Sequence, residues 1–365
     1  MSPETRQLTR ERFVPGLSKV TAVISAGCWT IGGPAANHGV PIGWDGVDPE
    51  AAAGGLARAY ELGVRHFDTA DVYGMGQSER LLGKLIAQVP RDSISISSKV
   101  GYRTSSKGVH PYHPAWLRKQ CYDSLARLGT DHLDAYFLHN LDFGAHDEYL
   151  PAAMTTLTDL RREGVIRAIG MRAPHEFAEQ WASGPPSKAQ RQAARFVHVF
   201  SAVHPNVITV RHNLLSYDYG PQEADIFAFA REHRIGVLIK QALGQGLLLG
   251  KHDPDGLRRF STLDHRSADP TFAPHIVREV NNGLAAALAQ LGGDPSVLLR
   301  AAIGHATRGD LYKGTTVLVG FRNAAQIAAT VNAVLHPLTL DGSRIVHRAL
   351  QPARTMLHAN LFTSA

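Results

Sequence analysis

VRHFDTADVYGMGQSERLLG, residues 64–83, decides how the rest of the chain is read. It opens on VRHF, residues 64–67, whose apolar ends bracket a short segment read as a buried strand. Asp68 closes that run. Tyr73 follows on a loop punctuated by Gly74 and Gly76, and helical spacing begins near Ser78. An acid and a phenol just past a strand's carboxyl end stand where barrel enzymes keep their reactive groups.

On the N-terminal side, residues 1–18 read as a polar lead-in. VTAVISAGCW (20–29) reads as a strand ending at Gly27. Residues 30–47 form a Gly- and Pro-rich loop. Helical spacing runs over 49–62, with Asp48 placed to cap it. On the C-terminal side, SISISSKV (93–100) alternates apolar and polar residues and carries Lys99 near its end. A helix over 114–128 has Pro114 suited to its first turn. HLDAYFL (132–138) is a strand that ends at His139. A helix over 151–163 and a strand over 165–171 follow.

Residues 174–202 resist a clean reading, because GPPSKAQRQAAR (184–195) interrupts helical spacing and looks like an insertion. Strands over 206–215 and 235–240 flank a helix over 221–233. Residues 241–272 make a loop of a length that is usually functional or disordered. Helices over 274–291 and 295–306, a strand over 316–320 and a helix over 323–334 complete the pattern. Eight strands alternating with helices predict an α/β fold, a (β/α)8 TIM barrel. The expectation is a single domain over 1–365, with a core of about 20–335 and a C-terminal helical tail over 336–365. A doubly wound sheet would want a Gly-rich turn after the first strand. GMGQSE (74–79) follows a different strand and has Glu79 where the third Gly belongs.

The 365 residues are 44% hydrophobic and 19% charged, the balance of a globular protein. MSPETRQLTRERF at the N-terminus has no apolar stretch of signal-peptide kind, and no run approaches membrane-spanning length. A cytoplasmic protein with no membrane contact is expected. Cys28 and Cys121 are too few for a disulfide framework and lack metal-ligand spacing. His110 and His113, in VHPYHP, have no nearby third ligand, so no metal is expected. The net charge of +6 favours anionic ligands. Lys and Arg are scattered rather than clustered, which argues against nucleic acid. Nothing marks an interface, so the oligomeric state stays open.

In a barrel, Asp68, Lys99 and His139 close three successive strands and Tyr73 lies just beyond the first. All four then face one mouth. An ordinary tyrosine, with a pKa of about 10, exchanges protons poorly at neutral pH. A cation beside the phenol favours the phenolate and eases that exchange. Lys99 can supply the cation, Asp68 can hold Lys99, and His139 can orient a substrate oxygen. This is machinery for proton transfer at a carbonyl or alcohol oxygen, and redox chemistry would need a cofactor.

FDTADVYG…SERLLG, SSKVG, YFLHNLD and VLVGFRNAAQ, in this order, resemble the aldo-keto reductase superfamily. The resemblance covers roughly residues 20–334. It implies NADPH, or NADH, bound at the strand C-termini and hydride transfer to an aldehyde or ketone. It implies Tyr73 as general acid in reduction and base in oxidation, Lys99 and Asp68 as its tuning pair, and His139 as the orienting group. It places Cys28, Trp29 and Asp68 beside the cofactor. Leu243, Gln245 and Gly246 resemble the family loop over the pyrophosphate. Gly320, Phe321, Arg322, Gln326 and Thr330 fall at the adenosine end. Arg322 there suits a 2′-phosphate and so favours NADPH. The substrate is expected to be a small polar, sugar-like carbonyl or alcohol. Trp29, Tyr73, Tyr102, His139 and Asn140, with Trp44, are expected to line its pocket.

The nicotinamide side departs from the family pattern. Gly-Val-Ser-Asn is replaced by Gly170, Met171, Arg172 and Ala173. Thr209 stands near a usual Gln, and Lys240 where an aromatic often stacks on the ring. Arg172 and Lys240 are thus expected at the cofactor, or at a phosphate or anionic substrate instead. Two other functions fit the same scaffold: a redox-neutral enzyme, such as an eliminase or epimerase, and a nucleotide-sensing regulatory protein.

Overall fold

Eight short buried runs, most rich in aliphatic and β-branched residues, become eight parallel strands. The computed structural model describes residues 11–256 and 260–363. The strands are β1 Ile24–Gly27, β2 His66–Asp68, β3 Ser95–Val100, β4 Leu133–Leu138, β5 Ile166–Arg172, β6 Val207–Arg211, β7 Gly236–Lys240 and β8 Thr315–Val319. Each pairs with the next in chain order, and β8 returns to pair with β1, Val317 opposite Ile24. The sheet is therefore a closed barrel, as expected from the alternation. Strands covered on both faces need no polar alternation, and LDAYFL of β4 is buried along its whole length.

The helices are α1 Pro49–Glu61, α2 Gln77–Ile86, α3 Pro114–Leu128, α4 Leu150–Arg162, α5 Lys188–Val203, α6 Ile226–Glu232, α7 Pro274–Gln290, α8 Ser296–Ala306, α9 Ala324–Leu335, α10 Leu340–Ala349 and α11 Gln351–His358. Asp48 caps α1 by accepting the Glu50 N–H at 2.9 Å. The main core lies between strands and helices, among residues such as Ile24, Phe67, Leu157, Phe196 and Val317. A second cluster packs the C-terminal helices α10 and α11 against α7 and α8. Arg354 of α11 is buried there in an ion pair with Asp218 at 2.7 Å. Among the described residues, no helix is long and apolar enough to cross a membrane.

Three expectations need correction. Residues 184–195 are no interruption: α5 runs unbroken to Val203, with Ser187 accepting the Gln190 N–H at its start. Pro185 and Pro186 fall before the cap, so they delimit the helix instead of breaking it. Behind the cap, Ala189, Ala193, Phe196, Val199, Phe200 and Val203 form its buried stripe. The polar lead-in is likewise only partly so. Residues 1–10 lie outside the described residues, but Glu11–Arg12 pairs antiparallel with Thr21–Ala22, and Val14 and Leu17 are buried against Phe137, Leu238 and Leu318. The long loop, with 257–259 outside the described residues, carries three 3-10 turns: Gly244–Leu249, His265–Ser267 and Pro270–Phe272. Asp264 anchors it by accepting the Asp45 N–H at 2.9 Å and the Arg266 side chain at 2.6 Å. Ser261 also bonds the Asp45 carboxylate, through its N–H at 2.7 Å and through its hydroxyl.

Candidate active site

The strand ends place the reactive groups. Asp68 is the last residue of β2, and Lys99 lies one residue from the end of β3. The Lys99 ammonium donates to Asp68 Oδ2 at 2.5 Å and to the Thr69 carbonyl at 2.6 Å. Ser97 donates to the other carboxylate oxygen at 2.6 Å. Both members of this pair are almost wholly out of solvent.

Tyr73 opens the 3-10 turn Tyr73–Gly76. The turn is held by close backbone contact with the loop after β1. A Cβ on Gly74 would lie 1.8 Å from the Gly32 carbonyl oxygen, and its φ of +58° also favours glycine. The helix that follows is fastened to the barrel by its own polar residues. Ser78 donates to the Cys28 carbonyl at 2.7 Å, and buried Glu79 accepts from Ser98 at 2.7 Å and Arg127 at 2.5 Å. The Lys99 ammonium sits 4.8 Å from the centroid of the Tyr73 ring. His139, just past β4, meets that ring edge-on at 5.7 Å. Trp29 stacks on its other side at 6.0 Å.

Burial pushes the Tyr73 phenol up to about 12, outweighing the lowering effect of Lys99. The expected bias towards phenolate is thus reversed, and Tyr73 is a held proton donor at neutral pH. Burial alone would lower Lys99, but Asp68 outweighs it and the ammonium is held charged. His139 is driven well below the usual histidine range by burial, then by Lys99, Arg172 and Lys240. It is a neutral imidazole. Its Nδ1 is buried without a hydrogen-bond partner, so Nε2 is the nitrogen left for the cavity.

These groups line a cavity of about 880 Å³ that continues to β7, β8 and α9. Trp29, Trp44, Tyr102, Arg172, Thr209, Lys240, Leu243, Gln245 and Gly246 share its walls, as do Gly320, Phe321, Arg322, Gln326 and Thr330. The far end is cradle-like. A Cβ on Gly320 would lie 2.7 Å from the Thr30 methyl. Gln326 accepts the Arg322 N–H at 2.8 Å, and the Thr330 hydroxyl donates to the Gln326 carbonyl at 3.0 Å. The Arg322 guanidinium lies 5.4 Å from the centroid of the Trp44 ring, and among the described residues it makes no ion pair, though Asp264 and Asp45 are near enough to act on it. An open, unpaired guanidinium beside a glycine cradle fits a phosphorylated ribose.

The nearer end is different. Arg172 donates to the Tyr102 hydroxyl at 2.7 Å and to His175 Nε2 at 3.2 Å. Tyr102 packs edge-on against His139 at 4.8 Å. Lys240 stands at the end of β7, in register with Arg211 of β6, and Thr209 of β6 is in register with Arg172. Burial, then Arg172, Lys99 and Arg211, depress the Lys240 ammonium well below the usual lysine range.

Two expected residues are not brought to the cavity. Cys28 opens a 3-10 turn, and its thiol points into the core, 3.8 Å from the Ala26 carbonyl. Asn140 spends its amide on the Gly101 carbonyl and on the Asp142 N–H. Conversely, Thr30, His175, Gln241, His265, Arg266 and Asp269 line the cavity without having been anticipated. His265 packs at a tilt against Trp29 at 4.2 Å, and Arg266 covers Trp44 at 4.5 Å. Their sequence context, DHRSADP, carries no motif; bonds of residues 261–264 to Asp45, of His265 to Gly43 and of Asp269 to Gln245 bring them over the mouth.

Residues 24–349 match the Aldo/keto reductase family. A probable aldo-keto reductase 1 of Glycine max is 30% identical over 219 residues, which span 59% of this chain and only 55% of that protein. L-galactose dehydrogenase of Arabidopsis thaliana is 26% identical over 320 residues, 85% of this chain and 87% of that one. Among solved structures, the glycerol dehydrogenase of Gluconobacter oxydans superposes with a TM-score of 0.69 at 24% identity, covering 94% of this chain and 95% of that chain.

Proposed function

The chain belongs to the aldo/keto reductase family, and from that premise we propose that it interconverts an aldehyde or ketone and its alcohol on a small polar metabolite. The observation that carries this reading is the quartet at one mouth: Lys99 locked to Asp68 at 2.5 Å, and Tyr73 between Lys99 and His139. When bound, a nicotinamide dinucleotide supplies hydride in reduction and accepts it in oxidation. Gly320, Arg322 and Gln326 would hold its adenosine end, and Leu243, Gln245 and Gly246 its pyrophosphate. Arg322, which makes no ion pair among the described residues, supports NADPH over NADH.

In reduction, the substrate carbonyl oxygen lies between Tyr73 and His139. The neutral His139 donates a hydrogen bond from Nε2 and fixes the oxygen's direction. Tyr73 gives up its phenol proton as negative charge develops on that oxygen. Lys99 stabilises the phenolate left behind, and Asp68 keeps Lys99 charged and in place. The reverse sequence returns the proton in oxidation. A phenol held near 12 stays protonated across the neutral range, so it does not limit the reduction rate between about pH 6 and 9. Relatives described as an L-galactose dehydrogenase and a glycerol dehydrogenase support a polyol- or sugar-like substrate.

The test is to titrate NADPH and NADH while following tryptophan fluorescence, since Trp29 and Trp44 line the cavity. A carbonyl screen for stoichiometric NADPH oxidation follows. Binding and stoichiometric oxidation are expected; absence of both from folded protein would sink the reading. One observation favours a second reading, a redox-neutral enzyme: Arg172 and Lys240 line the cavity at positions where the family pattern has nicotinamide contacts. Product formed without net NADPH consumption would mark it.

A further inference from the structure

The cations at the cavity's near end do not balance. Lys99 is neutralised by Asp68, and Arg211 is paired with Glu176. Arg172 and Lys240 have no such partner. The side-chain bonds of Arg172 go to Tyr102 and His175. The Lys240 ammonium makes no hydrogen bond or ion pair among the described residues. Both side chains are half-buried in the wall of the cavity that holds Tyr73 and His139. They end β5 and β7, on either side of β6, and thus flank one gap.

Two like charges left uncompensated in a partly desolvated wall repel each other and lack water to screen them. An anion between them removes both costs. The surrounding histidines cannot substitute, since burial and these same cations hold His139 and His175 neutral. Arg172 is also pre-oriented. Two of its five N–H donors are fixed by Tyr102 and His175, and the others stay free for a planar carboxylate or a phosphate.

We propose that Arg172 and Lys240 form a subsite for a carboxylate or phosphate borne by the carbonyl substrate, so that the enzyme acts on anionic aldehydes or ketones. This rests on the carbonyl-reduction reading above. The bracing of Arg172 points to the substrate rather than the nucleotide: Tyr102 packs against His139, on β4 next to β5. The residues suited to the nucleotide's adenosine end follow β8 or lie on α9, beside β7 but away from β5 and Arg172.

The experiment uses nucleotide-free protein and calorimetry with 4-hydroxybutyrate, 1-butanol and inorganic phosphate. NADPH-dependent reduction of succinic semialdehyde and butanal is then compared. 4-Hydroxybutyrate or phosphate should bind, and 1-butanol should not. Arg172→Met and Lys240→Met should each weaken the anion by at least about tenfold, the scale of one charged hydrogen bond. They should lower the kcat/KM ratio of succinic semialdehyde to butanal by a similar factor. Arg172→Lys and Lys240→Arg, which keep the charge and guard against a folding defect, should retain most of the binding.

Failure of both anions to bind would overturn the subsite. Loss of NADPH affinity in the Met variants, with anion binding intact, would assign the charge to the nucleotide's pyrophosphate and overturn it equally. A parent protein that oxidises NADPH but prefers butanal would remove the subsite and leave the proposed function standing. A parent that binds 4-hydroxybutyrate through Arg172 and Lys240, yet never oxidises NADPH, would do the reverse.

Discussion

Two halves of one cavity handle charge in opposite ways. Around Tyr73 every charge is answered: Asp68 meets Lys99, Ser97 meets the second carboxylate oxygen, and His139 is neutral. Around Lys240 the charges are left open. Arg172 leans on an hydroxyl and an imidazole, and among the described residues Lys240 makes no hydrogen bond or ion pair. A closed network is pre-organised for a fixed step, because its groups need no rearrangement when charge develops. An open network is pre-organised for a ligand that brings the missing charge.

Breaking the closed half should have the largest effect. Tyr73→Phe should cut kcat by about 10²–10⁴-fold, the usual worth of a positioned acid, with NADPH affinity nearly unchanged. Steady-state kinetics with a nucleotide titration checks both, and an active variant would remove Tyr73 from its role. Next comes the cavity's far end. Arg322→Ala should weaken NADPH by about tenfold or more and NADH much less. Equal losses would show that Arg322 does not read the 2′-phosphate.

The open half should respond through stability. A lysine whose folded-state pKa is depressed holds its proton less tightly folded than unfolded, so folding releases protons as pH approaches the ordinary lysine range. Stability then rises with pH up to the ordinary lysine value of 10.5. Lys240→Met should abolish that rise and lift Tm by a few degrees at neutral pH, as thermal unfolding at several pH values would show. A lowered Tm would mean that Lys240 has a stabilising partner. The smallest effect should be at Asn140. Its amide holds the Gly101 carbonyl, so Asn140→Ala should cost about 1 kcal/mol of stability and leave substrate KM within about twofold.

The barrel was legible because short strand-like runs alternate with helical spacing, and because each candidate group of the quartet closes or follows such a run. Backbone alternation then does the aiming. Cys28 and Asn140 show where this stops. Each is adjacent in sequence to a cavity residue, Trp29 or His139, yet a single residue's step turns the side chain into the core or onto a neighbouring carbonyl. Helix α5 was obscured by two prolines whose effect depends on which side of Ser187 they fall. His265, Arg266 and Asp269 were unreadable for another reason. Their position depends on the hydrogen bonds of Asp264 and Ser261 to Asp45, more than two hundred residues away. The burial that holds the Tyr73 phenol up was also invisible, since sequence supplies the neighbouring Lys99 but not its weight against desolvation.

The contact between Gly32 and Gly74 has a consequence for mutational tolerance. At 1.8 Å from a backbone oxygen, the first carbon of any side chain at Gly74 displaces main chain. The residue displaced with it is Tyr73. A substitution there therefore strikes folding and chemistry in one event, and a library screened for activity alone would score it as catalytic. Screened also for soluble yield, the same variant would be seen as a failure of assembly. The motif that makes the chain recognisable thus depends in part on two peptide planes with no room between them.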